Sequence, residues 1–285
     1  MAGRSADRYV LVTGASTGIG AATVRALADR GFQVFAAVRK PDDARTVREH
    51  QPARIHLVRL DVTDEQSIRE AFTVVQSAVS DRGLYGLVNN AGIAVGGPLE
   101  CLPISELRRQ LEVNVIGPAA VTQAFLPLLR QATGRVVNMS SISGRVALPF
   151  VGPYAASKFA LRAMSDALRA ELKPWGIEVV MIEPGQIATP IWEKGVVDCE
   201  RQQADWTPEG RERYGAMLTE LLNGVRNIKG LPPERVAEAV VRALTATRPK
   251  TTYAVGRDAR VLRWIGRLPA RWRDALVTRS LPRGR

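Results

Sequence analysis

Residues 13–20 read TGASTGIG and directly follow the apolar run YVLVT at residues 9–13. Glycines at a strand-to-helix turn let the backbone approach a pyrophosphate, whose charge is met by free N–H groups at the helix N-terminus. The spacing of Gly14, Gly18 and Gly20 is G-x-x-x-G-x-G, which differs from the common G-x-G-x-x-G pattern. Such a turn also occurs as a plain tight connection. Its place between a predicted strand and an amphipathic helix favours nucleotide binding.

Apolar periodicity alternates between two types along the rest of the chain. Short β-branched runs predict buried strands, and they are YVLVT (9–13), FQVFAAV (32–38), IHLVRL (55–60), GLVNN (86–90), GRVVNMS (134–140), IEVVMIE (177–183) and TTYAV (251–255). Apolar residues at three- and four-residue spacing predict helices near 18–30, 64–80, 104–131, 154–173 and 233–246. Strands that alternate with helices predict an α/β fold, a single-domain doubly wound parallel sheet of Rossmann type with helices on both faces.

Composition excludes several classes of protein and site. With 46% hydrophobic and 24% charged residues among 285, the chain can bury one large core. The start MAGRSADRY lacks the apolar segment of a signal peptide, and we see no run of about 18 apolar residues that could span a bilayer. A cytoplasmic protein is therefore expected. Two cysteines, Cys101 and Cys199, and two histidines, His50 and His56, argue against a disulfide framework, a metal centre or a histidine triad.

Residues 150–158 read FVGPYAASK, in which Pro153 predicts the first turn of a helix. Tyr154 and Lys158 then lie one turn apart on one helix face. A tyrosine has a pKa near 10, about three units too high for a base at neutral pH, and a neighbouring cation favours its phenolate. The alternative for the pair taken alone is a packed tyrosine beside a solvated lysine.

Five short motifs occur together over residues 8–255, and they are TGASTGIG (13–20), NNAG (89–92), SS (140–141), YAASK (154–158) and PGQIATP (184–190). In order and approximate spacing the chain resembles the classical short-chain dehydrogenase/reductase family. The resemblance implies an NAD(P)-dependent oxidoreductase that acts on CH–OH and C=O groups. It says little about the substrate, because the motifs belong to the cofactor and the chemistry.

The resemblance implies four catalytic residues. Tyr154 exchanges a proton with the substrate oxygen while hydride moves to or from the carbonyl carbon. Ser141 hydrogen-bonds the same oxygen, whereas strand alternation is expected to turn Ser140 away. Lys158 favours the tyrosinate and holds the ribose hydroxyls. Asn114, in LEVNVIG, matches the asparagine that holds a water in a proton relay, although a mid-helix asparagine can also be a satisfied polar group at a bend.

Further positions match the family's cofactor contacts. They are Gly14, Ser16, Thr17, Gly18, Ile19 and Gly20 in the glycine-rich turn, Asp61 and Val62 at the adenine, Asn90 and Gly92 beside the ribose, Tyr154 and Lys158 at the nicotinamide nucleotide, Pro184 and Gly185 in the PGQIATP motif, and Ile187 and Thr189 at the carboxamide.

The end of the second predicted strand, VFAAVRKPDD (34–43), bears on the choice of cofactor. An acidic residue there accepts hydrogen bonds from the adenosine ribose, whereas a basic one pairs with a 2′-phosphate. The chain has Val38, Arg39 and Lys40, and the planar fork of Arg39 suits a phosphate. We predict a preference for NADP(H), with NAD(H) as the second choice. Two solvated cations at a strand end are the alternative.

A long insertion at residues 190–230, the lid segment, is rich in aromatic and aliphatic residues, among them Trp192, Trp206 and Leu221. Thr207-Pro208-Glu209 within it resembles a helix start. An apolar lid suits a hydrophobic alcohol or ketone of the steroid, retinoid or long-chain carbonyl type, unless those residues only pack the lid onto the body. The alternative function is a non-catalytic NAD(P)-sensing binding protein. Nucleic acid is not a predicted partner.

The C-terminal residues carry most of the charge. Residues 248–285 hold eleven Lys and Arg against two Asp, so they supply nine of the net +12. We divide the chain into a catalytic domain (1–256) and a basic amphipathic extension (257–285), the tail. Trp264 and Trp272 among arginines suit peripheral contact with an anionic membrane face, and docking on the body or a sister subunit is the alternative. The resemblance also suggests a homodimer or homotetramer through the helices at 104–131 and 154–173.

Overall fold

The computed structural model describes residues 8–227 and 229–278, except the side chain of Thr46. The strands are β1 (Tyr9–Thr13), β2 (Gln33–Val38), β3 (Ile55–Arg59), β4 (Gly86–Asn89), β5 (Arg135–Met139), β6 (Glu178–Pro184) and β7 (Thr252–Val255). The helices are α1 (Gly18–Ala28), α2 (Arg45–His50), α3 (Glu65–Val79), α4 (Ile104–Leu111), α5 (Gly117–Gln131), α6 (Gly152–Leu172), α7 (Pro190–Gln203), α8 (Pro208–Arg226), α9 (Glu234–Thr245), α10 (Arg257–Ile265) and α11 (Ala270–Thr278).

The strands form one seven-stranded sheet in the order β3-β2-β1-β4-β5-β6-β7. All six neighbouring pairs are parallel. The chain reverses its direction of winding between β1 and β4, and ligands of such sheets bind beyond the carboxyl ends of the strands at this switch point. The predicted Rossmann-type α/β fold is confirmed, and each predicted strand is present to within one or two residues at its ends.

Two apolar layers cover the two faces of the sheet. On one face, Val24 and Leu27 of α1 pack with Val240 and Leu244 of α9. On the other, Val75 of α3 and Phe125 of α5 belong to a second cluster. A parallel sheet covered on both sides requires strands that are apolar on both faces, which is why the predicted strands read as continuous apolar runs rather than as alternating ones.

The predicted helix at 104–131 is interrupted. A π-helical turn at Glu112–Ile116 separates α4 from α5. Turns of this kind are rare and occur at functional sites more often than elsewhere.

The stretch Ile104–Gln131 is long and apolar enough, by length and composition, to cross a membrane, whereas we expected no such segment from the sequence. The α5 part of this stretch packs in the sheet core, where Val121, Phe125 and Leu128 are at most 1% exposed.

The lid segment forms a helical pair, α7 and α8. The predicted helix start is confirmed, since Thr207 is the N-cap of α8 and its hydroxyl accepts a hydrogen bond from the Gly210 N–H at 3.2 Å. The predicted periodicity of the tail corresponds to α10 and α11, which are separated at Pro269. Residues 279–285 of the predicted extension lie outside the described part of the chain.

Candidate active site

The glycine-rich turn is shaped for a close approach of its backbone to a ligand. Gly14 and Gly18 have φ values of +63° and +54°, a region that side-chain-bearing residues rarely adopt. A Cβ on Gly14 would lie 2.7 Å from Ala91 Cα, and one on Gly20 would collide with the Gly14 carbonyl oxygen. Glycine is therefore required here for packing as well as for any ligand.

The N-terminus of α1 leaves its N–H groups open to an anion. Its N-cap, Thr17, makes no side-chain capping bond, and the first turn contains no acidic residue. Uncompensated N–H groups and the positive end of the helix dipole together suit a phosphate. The turn therefore fits the pyrophosphate of a dinucleotide cofactor.

Asn90 fixes the turn to the end of β4. Its amide nitrogen donates to the carbonyl oxygens of Thr13 (2.9 Å) and Gly14 (3.1 Å). The Thr13 hydroxyl accepts in return from the backbone N–H groups of Asn90 and Ala91, both at 3.0 Å. The Asn90 side chain, which is predicted to lie beside the ribose, thus also holds the glycine-rich turn in place.

Ser141, Tyr154 and Lys158 come together at the carboxyl end of β5. Ser141 follows the strand, and α6 carries the other two in its first two turns. The Lys158 ammonium donates to the Met139 carbonyl oxygen at 2.8 Å and lies 5.6 Å from the centroid of the Tyr154 ring. Pro153 lies in the first turn of α6 as predicted. All three side chains line one groove.

Burial controls the titration of this cluster. It raises the pKa of Tyr154 above its usual 10, against a hydrogen bond from Ser141 that acts in the opposite direction. Burial also lowers the pKa of Lys158 from 10.5 to about 8. Burial is the larger of the two effects on Tyr154, so its pKa lies above 10, and the expected effect of Lys158 on the tyrosinate stays a prediction. A base at neutral pH therefore requires additional positive charge next to Tyr154.

Asn114 lies in the π-helical turn, and its carboxamide is fully engaged. Its oxygen accepts from the Ile93 N–H at 2.9 Å, and its nitrogen donates to the Ile93 carbonyl (3.0 Å) and the Ser157 hydroxyl (3.1 Å). Both amide hydrogens are used, so the side chain clamps residue 93 to α6. A relay water at Asn114 stays a prediction.

Most of the other predicted cofactor contacts line the same groove, and they are Gly14, Ser16, Thr17, Ile19, Gly20, Arg39, Asp61, Val62, Asn90, Gly92, Pro184, Gly185, Ile187 and Thr189. Three predicted site residues, Gly18, Lys40 and Asn114, are not among the lining residues. Gly18 packs instead under Thr189, whose Cγ2 would lie 3.2 Å from an added Cβ.

Other residues of the groove were missed. Asp43 and Thr63 lie with Arg39 and Asp61 near the ends of β2 and β3. Asp43 stands four residues after Arg39 in the quoted segment 34–43, but nothing in the pattern indicated that the chain turns back there. Ser140, expected to face away, also lines the groove, and its buried hydroxyl has no hydrogen-bond partner among the described residues.

A small apolar cavity of about 50 Å³ lies between the lid and the body, next to Tyr154. Its lining is almost entirely apolar: Ala94, Val95, Gly96, Gly97, Phe150, Val151, Tyr154, Trp192, Gly195, Val196, Cys199, Leu218, Leu221, Leu222 and Val225. Trp192 of α7 meets the Tyr154 ring edge to face, with centroids 5.8 Å apart. Trp192 and Tyr154 line both the cavity and the groove.

Known proteins share this sequence and architecture. A family model described as short chain dehydrogenase matches residues 8–198. Retinol dehydrogenase 5 of Mus musculus is 39% identical over 98% of this chain and 90% of its own length. An NADPH-dependent 3-dehydrocapnine reductase of Ornithobacterium rhinotracheale is 40% identical over 87% of this chain and 88% of its own. A solved short chain dehydrogenase from Burkholderia cenocepacia J2315, in complex with NADP, has a TM-score of 0.74 at 27% identity and covers 97% of this chain and 98% of its own.

Proposed function

The chain belongs to the short-chain dehydrogenase family and is an NAD(P)-dependent oxidoreductase, and on that premise we propose that it interconverts a hydrophobic alcohol and its ketone or aldehyde with NADP(H). The observation that carries the proposal is the apolar cavity beside the Tyr154 ring. A pocket lined by apolar side chains with a few convergent polar groups at one end is typical of a small-molecule site. Tyr154 lies at one end of the cavity, and Ser141 lines the adjoining groove, so the oxygen of the substrate lies at that end and its hydrocarbon part extends under the lid.

The chain's own residues act on the substrate oxygen. When bound, the nicotinamide cofactor supplies or accepts the hydride. In the reducing direction the Tyr154 hydroxyl gives its proton to the oxygen of the carbonyl group, and the Ser141 hydroxyl donates a hydrogen bond to the same oxygen. Lys158, held by the Met139 carbonyl, places a positive charge near the tyrosinate that remains. Oxidation of the alcohol uses the same groups in reverse.

The preference for NADP(H) is proposed on Arg39. Arg39 lines the groove just after β2, and β2 ends on Val38 rather than on an acidic residue. A guanidinium can hold a 2′-phosphate with two parallel hydrogen bonds. Two of the relatives carry the same cofactor in their descriptions, as an NADPH-dependent reductase and an NADP complex. Asp43 in the same part of the groove adds a negative charge that tempers this preference.

The proposal is tested by following NADPH absorbance with pairs of carbonyl substrates that share a head group and differ in hydrocarbon length. We expect kcat/KM to rise with apolar length and to fall for analogues with a charged distal end. Equal rates for short and long substrates would contradict the role of the cavity. Binding of NADPH without turnover of any member of a retinoid, steroid and alkyl panel would favour the alternative, a nucleotide-sensing protein.

We also propose that the tail contacts an anionic membrane surface peripherally. The outer faces of α10 and α11 expose Trp264 and Trp272, 67% and 68% of whose surface is open, together with Val261 and Leu276. The Arg267 guanidinium lies over the Trp264 ring at 4.6 Å. Exposed tryptophans among arginines favour the headgroup region of anionic bilayers.

The membrane proposal is tested by co-sedimentation with phosphatidylserine-containing and pure phosphatidylcholine vesicles at low and high salt. The full chain is expected to bind only the anionic vesicles and to be released by salt. A Trp264→Ser/Trp272→Ser variant should lose binding, whereas Trp175→Ser, a similarly exposed tryptophan stacked by Arg130 elsewhere on the surface, should retain it. Equal sedimentation of the wild type and both variants with anionic vesicles would contradict the membrane proposal.

The oligomer stays a proposal. Exposed apolar side chains on α4, the π-helical turn and α6, namely Ile104, Ile116, Phe159 and Met164, support self-association through these helices. Light scattering should show a dimer or tetramer that Phe159→Asp dissociates. A monomeric wild type would contradict it.

A further inference from the structure

Residues 185–188, which follow β6, are held by hydrogen bonds from two sides. The Gly185 N–H donates to the Val255 carbonyl at the end of β7 (2.9 Å). On the other side Leu231, just after the lid segment, donates to the Gln186 carbonyl and accepts from the Ala188 N–H, each at 2.9 Å. This nicotinamide loop (185–189) contains Ile187 and Thr189, the residues predicted to contact the carboxamide.

The Gln186 N–H of the loop is held by the tail. The Asp258 carboxylate, in the first turn of α10, accepts a hydrogen bond from the Gln186 N–H at 2.6 Å. Its approach is possible because Gly185 and Gly256 have no side chains: a Cβ on either would collide with the carboxylate. Gly256 also has a φ of +112°, which turns the chain from β7 into α10.

The other end of α10 lies against the loop that follows Ser141. Gly266 packs on Arg145, and a Cβ on Gly266 would be 2.9 Å from the Arg145 carbonyl oxygen. The Arg145 guanidinium in turn pairs with Glu183 of β6 at 2.8 Å, and Glu183 also accepts from Arg162 of α6 at 3.1 Å. Glu183 is 1% exposed, so its two ion pairs connect the loop that follows Ser141, α6 and β6 inside the protein.

We propose that α10 positions the active site, and that Asp258 is a positioning residue for the nicotinamide loop. The inference rests on the proposed function insofar as the loop contacts the cofactor. Asp258 touches neither substrate nor the reacting atoms. It acts through Gln186, because a charged acceptor on that N–H fixes the peptide from which Ile187 and Thr189 project. Without it the N–H loses its protein partner, and the loop gains conformations that bind the cofactor less well.

The two faces of α10 therefore have different roles. The inner face of α10 is bound to the catalytic body through Asp258 and Gly266, and its outer face carries the exposed Trp264. Truncation at Gly256 would remove both functions together. Point substitutions separate them.

The test compares Asp258→Ala and Asp258→Asn with Asp274→Ala in the full chain. Asp274, on α11, is a matched control because its side chain is 69% exposed and its one ion pair within the described residues is with Arg273, at 3.9 Å. Four quantities are measured for each protein: hydrogen exchange of the peptide that contains Gln186 without cofactor, the NADPH Kd by fluorescence titration, kcat and KM, and the urea midpoint.

We expect Asp258→Ala to speed exchange at Gln186 and to raise the NADPH Kd by about tenfold, with the urea midpoint and exchange in β5 unchanged. Asp258→Asn, which keeps an acceptor oxygen, should give intermediate values, and Asp274→Ala should stay within about twofold of wild type. The substrate KM at saturating NADPH should change less than the cofactor Kd.

Wild-type exchange at Gln186 and a wild-type Kd in Asp258→Ala would overturn the inference. If Asp258→Ala does not fold, Asp258→Asn decides by the same two readouts. A wild-type chain that binds no dinucleotide would defeat the proposed function alone, because the exchange comparison still decides whether Asp258 holds the loop.

Discussion

The cofactor groove and the lid cavity meet at Tyr154, but backbone shapes the groove and side chains shape the cavity. The groove is shaped by backbone: glycines with positive φ, an uncapped helix N-terminus and strand ends fixed by the sheet. The cavity is shaped by side chains of two helices, α7 and α8, facing the loop at 94–97. A site made of backbone binds a constant ligand, and one made of side chains can change its ligand by substitution. The two regions should therefore respond separately to mutation.

The largest effect on activity is expected at Tyr154, where the groove and the cavity meet. Tyr154→Phe removes the proton donor while the groove stays intact, so kcat should fall by about 10²- to 10⁴-fold and the NADPH Kd should change little. Steady-state kinetics and a fluorescence titration of NADPH measure the two quantities. A mutant that keeps more than about a tenth of the wild-type kcat would break the assignment.

Within the groove, Arg39→Ala should reduce the selectivity for NADPH over NADH. Charge-assisted hydrogen bonds of about 1.5–3 kcal/mol correspond to a loss of very roughly tenfold to a hundredfold, mainly in KM for NADPH. Lys40→Ala is the matched control, since Lys40 is adjacent but does not line the groove. Equal kcat/KM for the two cofactors in the wild type would contradict the prediction.

The pH dependence of cofactor binding should report Lys158. Its pKa is lowered to about 8 by burial, so the amine is charged below that pH and neutral above it. If the ammonium holds the cofactor, affinity is constant below about pH 7 and falls above pH 8, by at most about tenfold per pH unit. Titrations are made in Tyr154→Phe so that the tyrosine does not contribute. An affinity for the cofactor that rises above pH 8 would contradict this prediction.

The smallest effect is expected in the cavity. Leu221→Ser replaces apolar surface with a hydroxyl and should raise KM for a long-chain carbonyl about threefold to tenfold, on the basis of about 0.8 kcal/mol per buried methylene. A short substrate with the same head group and the NADPH Kd should be unaffected. Val197→Ser, on the exposed side of α7, is the control. A parallel change in NADPH Kd would show that groove and cavity are coupled.

Residues with a local signature were predictable, and residues brought in by packing were not. Gly14, Gly20 and Tyr154 could be singled out from the sequence because short runs of consecutive residues mark glycine turns and helix starts. Asp43 and Thr63 were missed as groove residues, since nothing in the sequence fixes the return of the chain after β2 and β3. Burial, which raises the pKa of Tyr154, cannot be read from spacing, and the expected effect of Lys158 on the tyrosinate stays a prediction.

The sequence by itself determined the parallel sheet, the glycine-rich turn and the Tyr154–Lys158 pair, because each depends on periodicity or spacing within one or two elements. Only the tertiary structure decided that Lys158 loses its water, that the lid encloses an apolar cavity against Tyr154, and that Asp258 reaches Gln186 across 72 positions of chain. Desolvation, cavities and contacts between distant residues depend on how elements pack. Packing follows from the sum of many weak interactions, of which no short stretch of sequence holds more than a part.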